Sequence, residues 1–180
     1  MTEPRELAES ISSPEAVPAS GWVAGVTAAF GASLVAKAAA RSESWGEAEG
    51  IRAQAVGLRD RLLALAGQDA RAYETALGAL EQRDAGLARV LDKAAEVPLA
   101  IAETAADVAL LAAEAAERAD GAAQADAAAA SALAAGAARA CAKLVAVNLG
   151  TTPEDDRVAA SMRALEAAHD AAQRAFSADI

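Results

Sequence analysis

Residues 51–80 read IRAQAVGLRDRLLALAGQDARAYETALGAL, with one side chain of a single stripe at every third or fourth position. The stripe consists of Ile51, Ala55, Leu58, Leu62, Leu65, Asp69, Tyr73, Ala76 and Leu80. This spacing predicts an α-helix whose striped face packs on a core. Asp69 breaks the apolar pattern, because a buried carboxylate is costly unless it is paired, hydrogen-bonded or shifted in pKa. A structural ion pair and a functional carboxylate both remain open.

The composition around this stretch favours helix throughout. Alanine makes up about a third of the 180 residues, and aromatic residues only 3%. Alanine has the highest helix propensity, and small side chains let helix axes approach closely. We therefore expect an all-α, single-domain up-down helical bundle of five to six helices spanning residues 1–180. A core of small side chains buries little apolar area per residue, so we expect a homodimer.

Charge and cysteine content exclude several classes of protein. The net charge is −10 and no basic run occurs, which argues against a nucleic-acid partner. The lone Cys141 lies in an alanine-rich segment and reads as a small buried thiol rather than a nucleophile. The least polar stretches, residues 21–36 and 127–138, are shorter than a membrane span requires. The N-terminal MTEPRELAES has no apolar signal region, so we expect a cytoplasmic protein without a membrane partner.

Breaks in the pattern divide the chain into six predicted helices. They cover roughly residues 3–12, 21–41, 44–80, 84–118, 125–148 and a final helix that begins after residue 152. Thr2, Asp84 and Thr152 are the expected N-caps, with Pro153 at the first position of the last helix. Pro98 predicts a kink near the middle of the fourth helix.

A few polar residues on these helices are candidates for chemistry. Asp69 and Tyr73 are four positions apart, so they share a helix face one turn apart. Asp126 opens a helix, where an aspartate ordinarily caps or meets the helix dipole. Lys37 and Arg41 lie near a helix C-terminus, where cations are favoured in any case. No metal-ligand spacing, phosphate-binding glycine loop or nucleophile elbow is present.

Four segments together resemble the formimidoyltetrahydrofolate cyclodeaminase and methenyltetrahydrofolate cyclohydrolase family. They are PASGWVAGVTAAFGASLVAKAAA at 18–40, DARAY at 69–73, EVPLAIAE at 96–103 and ADAAAASALAAGAARACAKLVAVNL at 125–149. The first is similar to the family's glycine-rich loop and alanine-rich helix, and the second to its D-x-x-A-F/Y segment. The third is similar to a V-P-L stretch and the fourth to an S-D-A…N run. Their order and separations match over most of the chain.

The resemblance implies an all-helical, usually dimeric protein that acts on a tetrahydrofolate derivative, with no covalently bound cofactor and no metal. Family members hydrolyse 5,10-methenyltetrahydrofolate to 10-formyltetrahydrofolate, or cyclise formiminotetrahydrofolate with loss of ammonia. The catalytic residues implied here are Asp69, as general base or acid, and Asp126. The implied substrate-binding residues are Ser20, Gly21, Lys37, Arg41, Tyr73 and Asn148, of which Lys37 and Arg41 would meet the glutamate tail of a folate.

The chain departs from the family pattern, which leaves alternatives to catalysis. Ala19, Ser20 and Gly21 occupy the positions of the family's glycine triplet. The bulky Trp22 replaces a small polar residue of the family. A non-catalytic, ligand-binding relative and a purely structural bundle therefore remain alternatives. A raised Asp69 pKa beside a pocket favours the enzyme, a pocket filled by Trp22 favours the binding relative, and Asp69 paired with an arginine favours the structural bundle.

Overall fold

The computed structural model describes residues 3–83, 85–150 and 154–177, and every regular element in them is a helix. The helices are α1 (Pro4–Ser12), α2 (Ser20–Ala40), α3 (Ala48–Glu81), α4 (Leu87–Ala94), α5 (Glu96–Arg118), α6 (Ala123–Asn148) and α7 (Asp156–Ser177). The predicted all-α bundle is confirmed. The caps expected at Thr2, Asp84, Thr152 and Pro153 lie outside the described residues.

The core consists mainly of alanine side chains on the packed faces of the helices. Helix α5 lies in the middle and packs against α6, α7, α3 and α2. A hydrogen bond of 3.2 Å from the Ser131 hydroxyl to the Ala109 carbonyl joins α6 to α5. Helix α2 approaches α6 so closely that a Cβ at Gly31 would lie 3.1 Å from the Ala130 carbonyl oxygen. Small side chains permit such contacts, and few large groups fill the interior.

The segment predicted as one kinked helix over residues 84–118 is two helices. Helix α4 ends at Ala94 and α5 begins at Glu96, so the chain breaks just before Pro98 rather than bending at it. Pro98 therefore lies in the first turn of α5, where a missing backbone N–H costs no intrahelical hydrogen bond. This break places the end of α4 and the start of α5 together at one side of α3.

Two of the helices are longer than the apolar stretches that the sequence suggested. By length and composition alone, α2 and α6 could each cross a membrane. About half of each apolar window is buried inside the bundle, 50% in α2 and 44% in α6. Core helices of an alanine-rich bundle meet the same criterion, because both of their faces contact other helices.

Candidate functional site

A small cleft of about 140 Å³ opens where four parts of the bundle meet. The N-terminus of α2, the middle of α3, the α4–α5 junction and the C-terminal end of α6 form its walls. Five of the predicted site residues line it, namely Ser20, Gly21, Asp69, Tyr73 and Asn148. The remaining wall is largely apolar. The fold thus brings these five residues together from three sequence segments, α2, α3 and α6.

Asp69 meets the first turn of α2 from the side. The N-cap of that helix, Ala19, has no side chain that could accept a hydrogen bond from the free backbone N–H groups. The Asp69 carboxylate instead accepts a hydrogen bond from the backbone N–H of Trp22. Gly21 makes this approach possible, because a Cβ there would lie 2.5 Å from the carboxylate carbon of Asp69. Glycine is needed here for close contact rather than for an unusual backbone angle.

Asp69 is a buried carboxyl without a counter-charge. It is 7% exposed, and none of the ion pairs among residues 3–83, 85–150 and 154–177 includes it. Burial raises its pKa above the ordinary value of 3.8, and the hydrogen bond from Trp22 opposes part of that rise. A carboxyl of this kind can hold and release a proton closer to neutrality than an exposed one.

Cys141 lies behind this carboxyl in the core. Burial, together with the nearby charge of Asp69, raises the pKa of its thiol to about 12. A thiol with that pKa stays protonated at neutral pH and is a poor nucleophile. The prediction of a buried thiol is confirmed, and its lack of reactivity stays a prediction.

Tyr73 on α3 and Asn148 on α6 both line the cleft. The Tyr73 side chain is 44% exposed and lies one turn beyond Asp69 on α3. Asn148 is half-buried, and its amide nitrogen donates a hydrogen bond of 3.2 Å to the Ala94 carbonyl. That bond ties the end of α6 to the end of α4. Both side chains can therefore contact a ligand that reaches Asp69.

Comparison with known proteins agrees with the all-helical fold. The sequence model described as formiminotransferase-cyclodeaminase matches residues 3–167. The chain belongs to the formiminotransferase-cyclodeaminase family, a family of folate metabolism. A solved structure of formiminotetrahydrofolate cyclodeaminase from Thermotoga maritima has the same fold, with a TM-score of 0.83 and 20% identity. The match covers 98% of this chain and 95% of that one. The search of curated proteins gave no match.

Three residues expected at a family active site lie elsewhere in this chain. The Lys37 ammonium is 2.7 Å from the Asp126 carboxylate, at the C-terminal end of α2 and the N-terminal end of α6. Arg41 is the exposed C-cap residue of α2. At 1.5 Å per residue, Asp126 is about 33 Å along α6 from Asn148. Within one chain, these residues do not join the Asp69 cleft, because the helices carry them to the far end of the bundle.

Two features of the site are not evident from sequence reasoning. Trp22 contributes its backbone N–H, and its side chain is not among the described residues that line the cleft. Three cations, Arg71, Arg89 and Lys93, line a second groove that adjoins the cleft. The four-residue spacing of Arg89 and Lys93 was a usable signal. The spacing alone does not show that these cations line a groove, because the sequence does not show where α4 packs.

Proposed function

We propose that this member of the family cyclises formiminotetrahydrofolate to 5,10-methenyltetrahydrofolate with release of ammonia. The observation that carries the proposal is the Asp69 carboxyl, buried at the cleft wall, with a raised pKa and no counter-charge among the described residues. The family match and the fold shared with a cyclodeaminase support it. Trp22 is not among the residues that line the cleft, and no ion pair between described residues joins Asp69 to an arginine.

The proposed reaction needs proton transfer at two nitrogens. N10 of the folate attacks the protonated formimino carbon and forms the second C–N bond. Asp69 accepts the proton from N10 and returns it to the former imino nitrogen. The bond between that nitrogen and the carbon then breaks, and ammonia leaves. The methenyl carbon ends with the positive charge that the formimino group brought, and Asp69 ends in its starting state.

The surroundings of Asp69 suit a substrate whose one-carbon unit is cationic. An ionised Asp69 stabilises delocalised positive charge more strongly in a water-poor cleft than in bulk water. Asn148 and Tyr73 can position the folate ring system against the carboxyl. Because Gly21 has no Cβ, the Asp69 carboxylate can lie against the start of α2.

The same observation also favours hydrolysis of 5,10-methenyltetrahydrofolate as a second candidate. In that reaction the substrate itself carries the delocalised positive charge, and an unpaired carboxylate would attract it. Asp69 would take a proton from the attacking water, and 10-formyltetrahydrofolate would be the product.

The methenyl chromophore separates the two reactions. With formiminotetrahydrofolate as substrate, cyclodeamination produces the chromophore together with ammonia. With methenyltetrahydrofolate as substrate, hydrolysis removes the chromophore faster than the spontaneous rate. Formation of chromophore by wild type, and its loss in Asp69→Asn, would support the proposal. A folded protein that changes neither substrate above background would reject both reactions and leave a ligand-binding relative.

We also propose that the protein works as a homodimer. Several large apolar side chains remain exposed on the described surface, among them Phe30 at 56%, Val147 at 58% and Phe176 at 55%. The alanine core buries little area per residue, so association would add stability. Light scattering across a range of concentrations gives the mass directly, and a monomer at micromolar concentration would contradict the proposal.

A further inference from the structure

Helix α4 is short, and little of it is buried. Among its eight described residues, Ala94 is the buried one. The helix packs mainly against α3. An isolated helix of this length is not stable in water, so contacts with other elements must hold it in place. Its position matters to the site, because Ala94 lines the Asp69 cleft.

Pro98 leaves the Ala94 carbonyl without a helical partner. In a continuous helix, the N–H of residue 98 would donate a hydrogen bond to the carbonyl of residue 94. Proline has no N–H, so this buried carbonyl needs another donor. The Asn148 amide nitrogen is such a donor, at 3.2 Å. Asn148 lines the cleft, and the plane of its amide is thus set by the junction of α4 and α5.

A second side chain holds the same end of α4. Arg157, in the first turn of α7, donates a hydrogen bond of 2.9 Å to the Asp92 carbonyl and another to the Asp92 carboxylate. A cation is favoured at this place, because the last carbonyls of a helix have no helical partners. Two helices that follow much later in the chain, α6 and α7, therefore supply donors to the C-terminal end of α4.

Asp155 holds the Arg157 guanidinium in place. Its carboxylate accepts hydrogen bonds from Nε and Nη2 of Arg157, at 3.0 and 2.8 Å. These bonds hold the pKa of Asp155 at about 2, so the carboxylate stays charged at neutral pH. The Arg157 side chain is 24% exposed, less than any other cation in the ion pairs between described residues. A planar guanidinium bound on both sides is directional, and it fixes where Asp92 lies.

We propose that Arg157 is a positioning residue of the Asp69 cleft. It holds the end of α4 so that the Ala94 carbonyl orients the Asn148 amide toward the substrate. The inference rests on the proposed function, in which Asn148 positions the folate ring system. Arg157 is not among the residues that line the cleft, so it acts on the ligand through α4 and Asn148.

A double-mutant cycle tests the inference, because residues that act through one another have non-additive effects. Calorimetry measures the binding of 5-formyltetrahydrofolate, a stable probe, to wild type, Arg157→Gln, Asn148→Ala and the double variant. We expect the dissociation constant to rise about tenfold for Asn148→Ala and about fivefold for Arg157→Gln. The double variant should bind no more weakly than Asn148→Ala alone. A purely structural role for Arg157 would instead multiply the two effects, to about fiftyfold.

Two further readouts separate positioning from loss of fold. In Arg157→Gln, amide hydrogen exchange in residues 87–95 should accelerate, whereas exchange in the core of α5 should stay as slow as in wild type. Turnover of formiminotetrahydrofolate by this variant should show a raised KM and a kcat within about twofold of wild type, because the Asp69 carboxyl is unchanged.

The matched control is Arg163→Gln, which removes an exposed arginine of the same helix that takes part in no ion pair within the described part of the chain. It should leave probe binding and amide exchange unchanged. If Arg157→Gln does not fold, Asp92→Asn takes its place in the cycle. The Asp92 side chain is 57% exposed, and its change leaves the pair of Arg157 and Asp155 intact.

The cycle and the turnover assay decide different questions. Multiplied effects in the double variant, or probe binding by folded Arg157→Gln equal to that of wild type, would overturn the inference and leave the proposed function in place. Wild type that binds the probe but does not turn over formiminotetrahydrofolate would reject the proposed function, and the binding cycle would still decide the role of Arg157. Failure of wild type to bind the probe would reject both.

Discussion

Two aspartates at opposite ends of the bundle have opposite surroundings. Asp69 is 7% exposed, takes part in no ion pair within the described part of the chain and accepts a hydrogen bond from the first turn of α2. The side chain of Asp126 is 31% exposed, and the Lys37 ammonium lies 2.7 Å from it. Asp126 lies in the first turn of α6, whereas Asp69 lies within α3 and meets the N-terminus of α2. Only Asp69 faces a cleft together with other polar groups.

The difference between the two carboxylates lies in what surrounds each of them. The pair of Lys37 and Asp126 lies at the surface, where solvent screens the attraction and the stabilisation is small. Asp69 costs free energy when it ionises, because its charge is buried without a cation. Under the proposed function, a bundle that holds such a group, with a glycine that makes space for it, gives up stability for reactivity. Four experiments test whether that contrast holds.

The largest effect is expected from Asp69→Asn. The amide has nearly the same shape and can still accept the hydrogen bond from Trp22, but it cannot transfer the proton. We expect turnover of formiminotetrahydrofolate to fall about 100-fold or more, the scale of general acid–base catalysis. At neutral pH the thermal midpoint should rise, because the variant removes a buried charge. A variant that loses stability and keeps its turnover would show that Asp69 is structural.

The next largest effect is expected from a change at Gly21, the glycine against which the Asp69 carboxylate lies. In Gly21→Ala the new Cβ would collide with Asp69, so either the side chain or the start of α2 must move. Overpacking of this kind costs about 1–3 kcal/mol of unfolding free energy, and substrate affinity should fall with it. The control is Gly57→Ala in α3, where a Cβ meets nothing within 4 Å. That change should stabilise the protein by about 0.5–1 kcal/mol, as Ala in place of Gly does within a helix. Chemical unfolding of both variants measures the contrast, and equal shifts would refute the close contact.

The pH dependence of stability gives a third test. The folded-state pKa of Asp69 lies above its ordinary value of 3.8, so the folded state binds the proton more tightly than the unfolded chain does. The stability gained from this is fully present below pH 3.8 and is lost as pH rises through the folded pKa. Wild type should therefore lose stability relative to Asp69→Asn over that window. Unfolding curves of the two proteins at matched pH values show it, and a constant difference would contradict the pKa shift.

The smallest effects are expected at the far end of the bundle. Lys37→Gln and Asp126→Asn should each change the free energy of unfolding by about 1 kcal/mol or less, as exposed ion pairs do. Turnover should stay within about twofold of wild type, because neither residue reaches the cleft in this chain. A large loss of activity in a folded Asp126→Asn protein would break the contrast. It would mean that a second copy of the chain brings this end of the bundle to the cleft.

Much of the fold follows from local chemistry that the sequence displays. The apolar stripe of residues 51–80 determines a long helix, and Asp69 is recognisable as its exception without any structure. Five of the eight predicted site residues line one cleft. The resemblance to the family predicted this grouping, because the family's segments occur in this chain in the same order. The kink predicted at Pro98 was wrong, because the helix breaks at Ala95 and Pro98 lies in the first turn of α5, where a proline is tolerated. The sequence does not show which turn of a helix a proline occupies.

The sequence by itself determined the all-helical class, the thin alanine core and the aspartate that does not belong in it. Only the tertiary structure decided which carboxylate stays unpaired, because pairing depends on which helix ends meet. The packing of the helices pairs Lys37 with Asp126, whereas Asp69 accepts a hydrogen bond from the backbone of α2. It also set the cations of α3 and α4 beside the cleft. Helical periodicity tells which side chains share a face, whereas the packing of helices decides what that face meets.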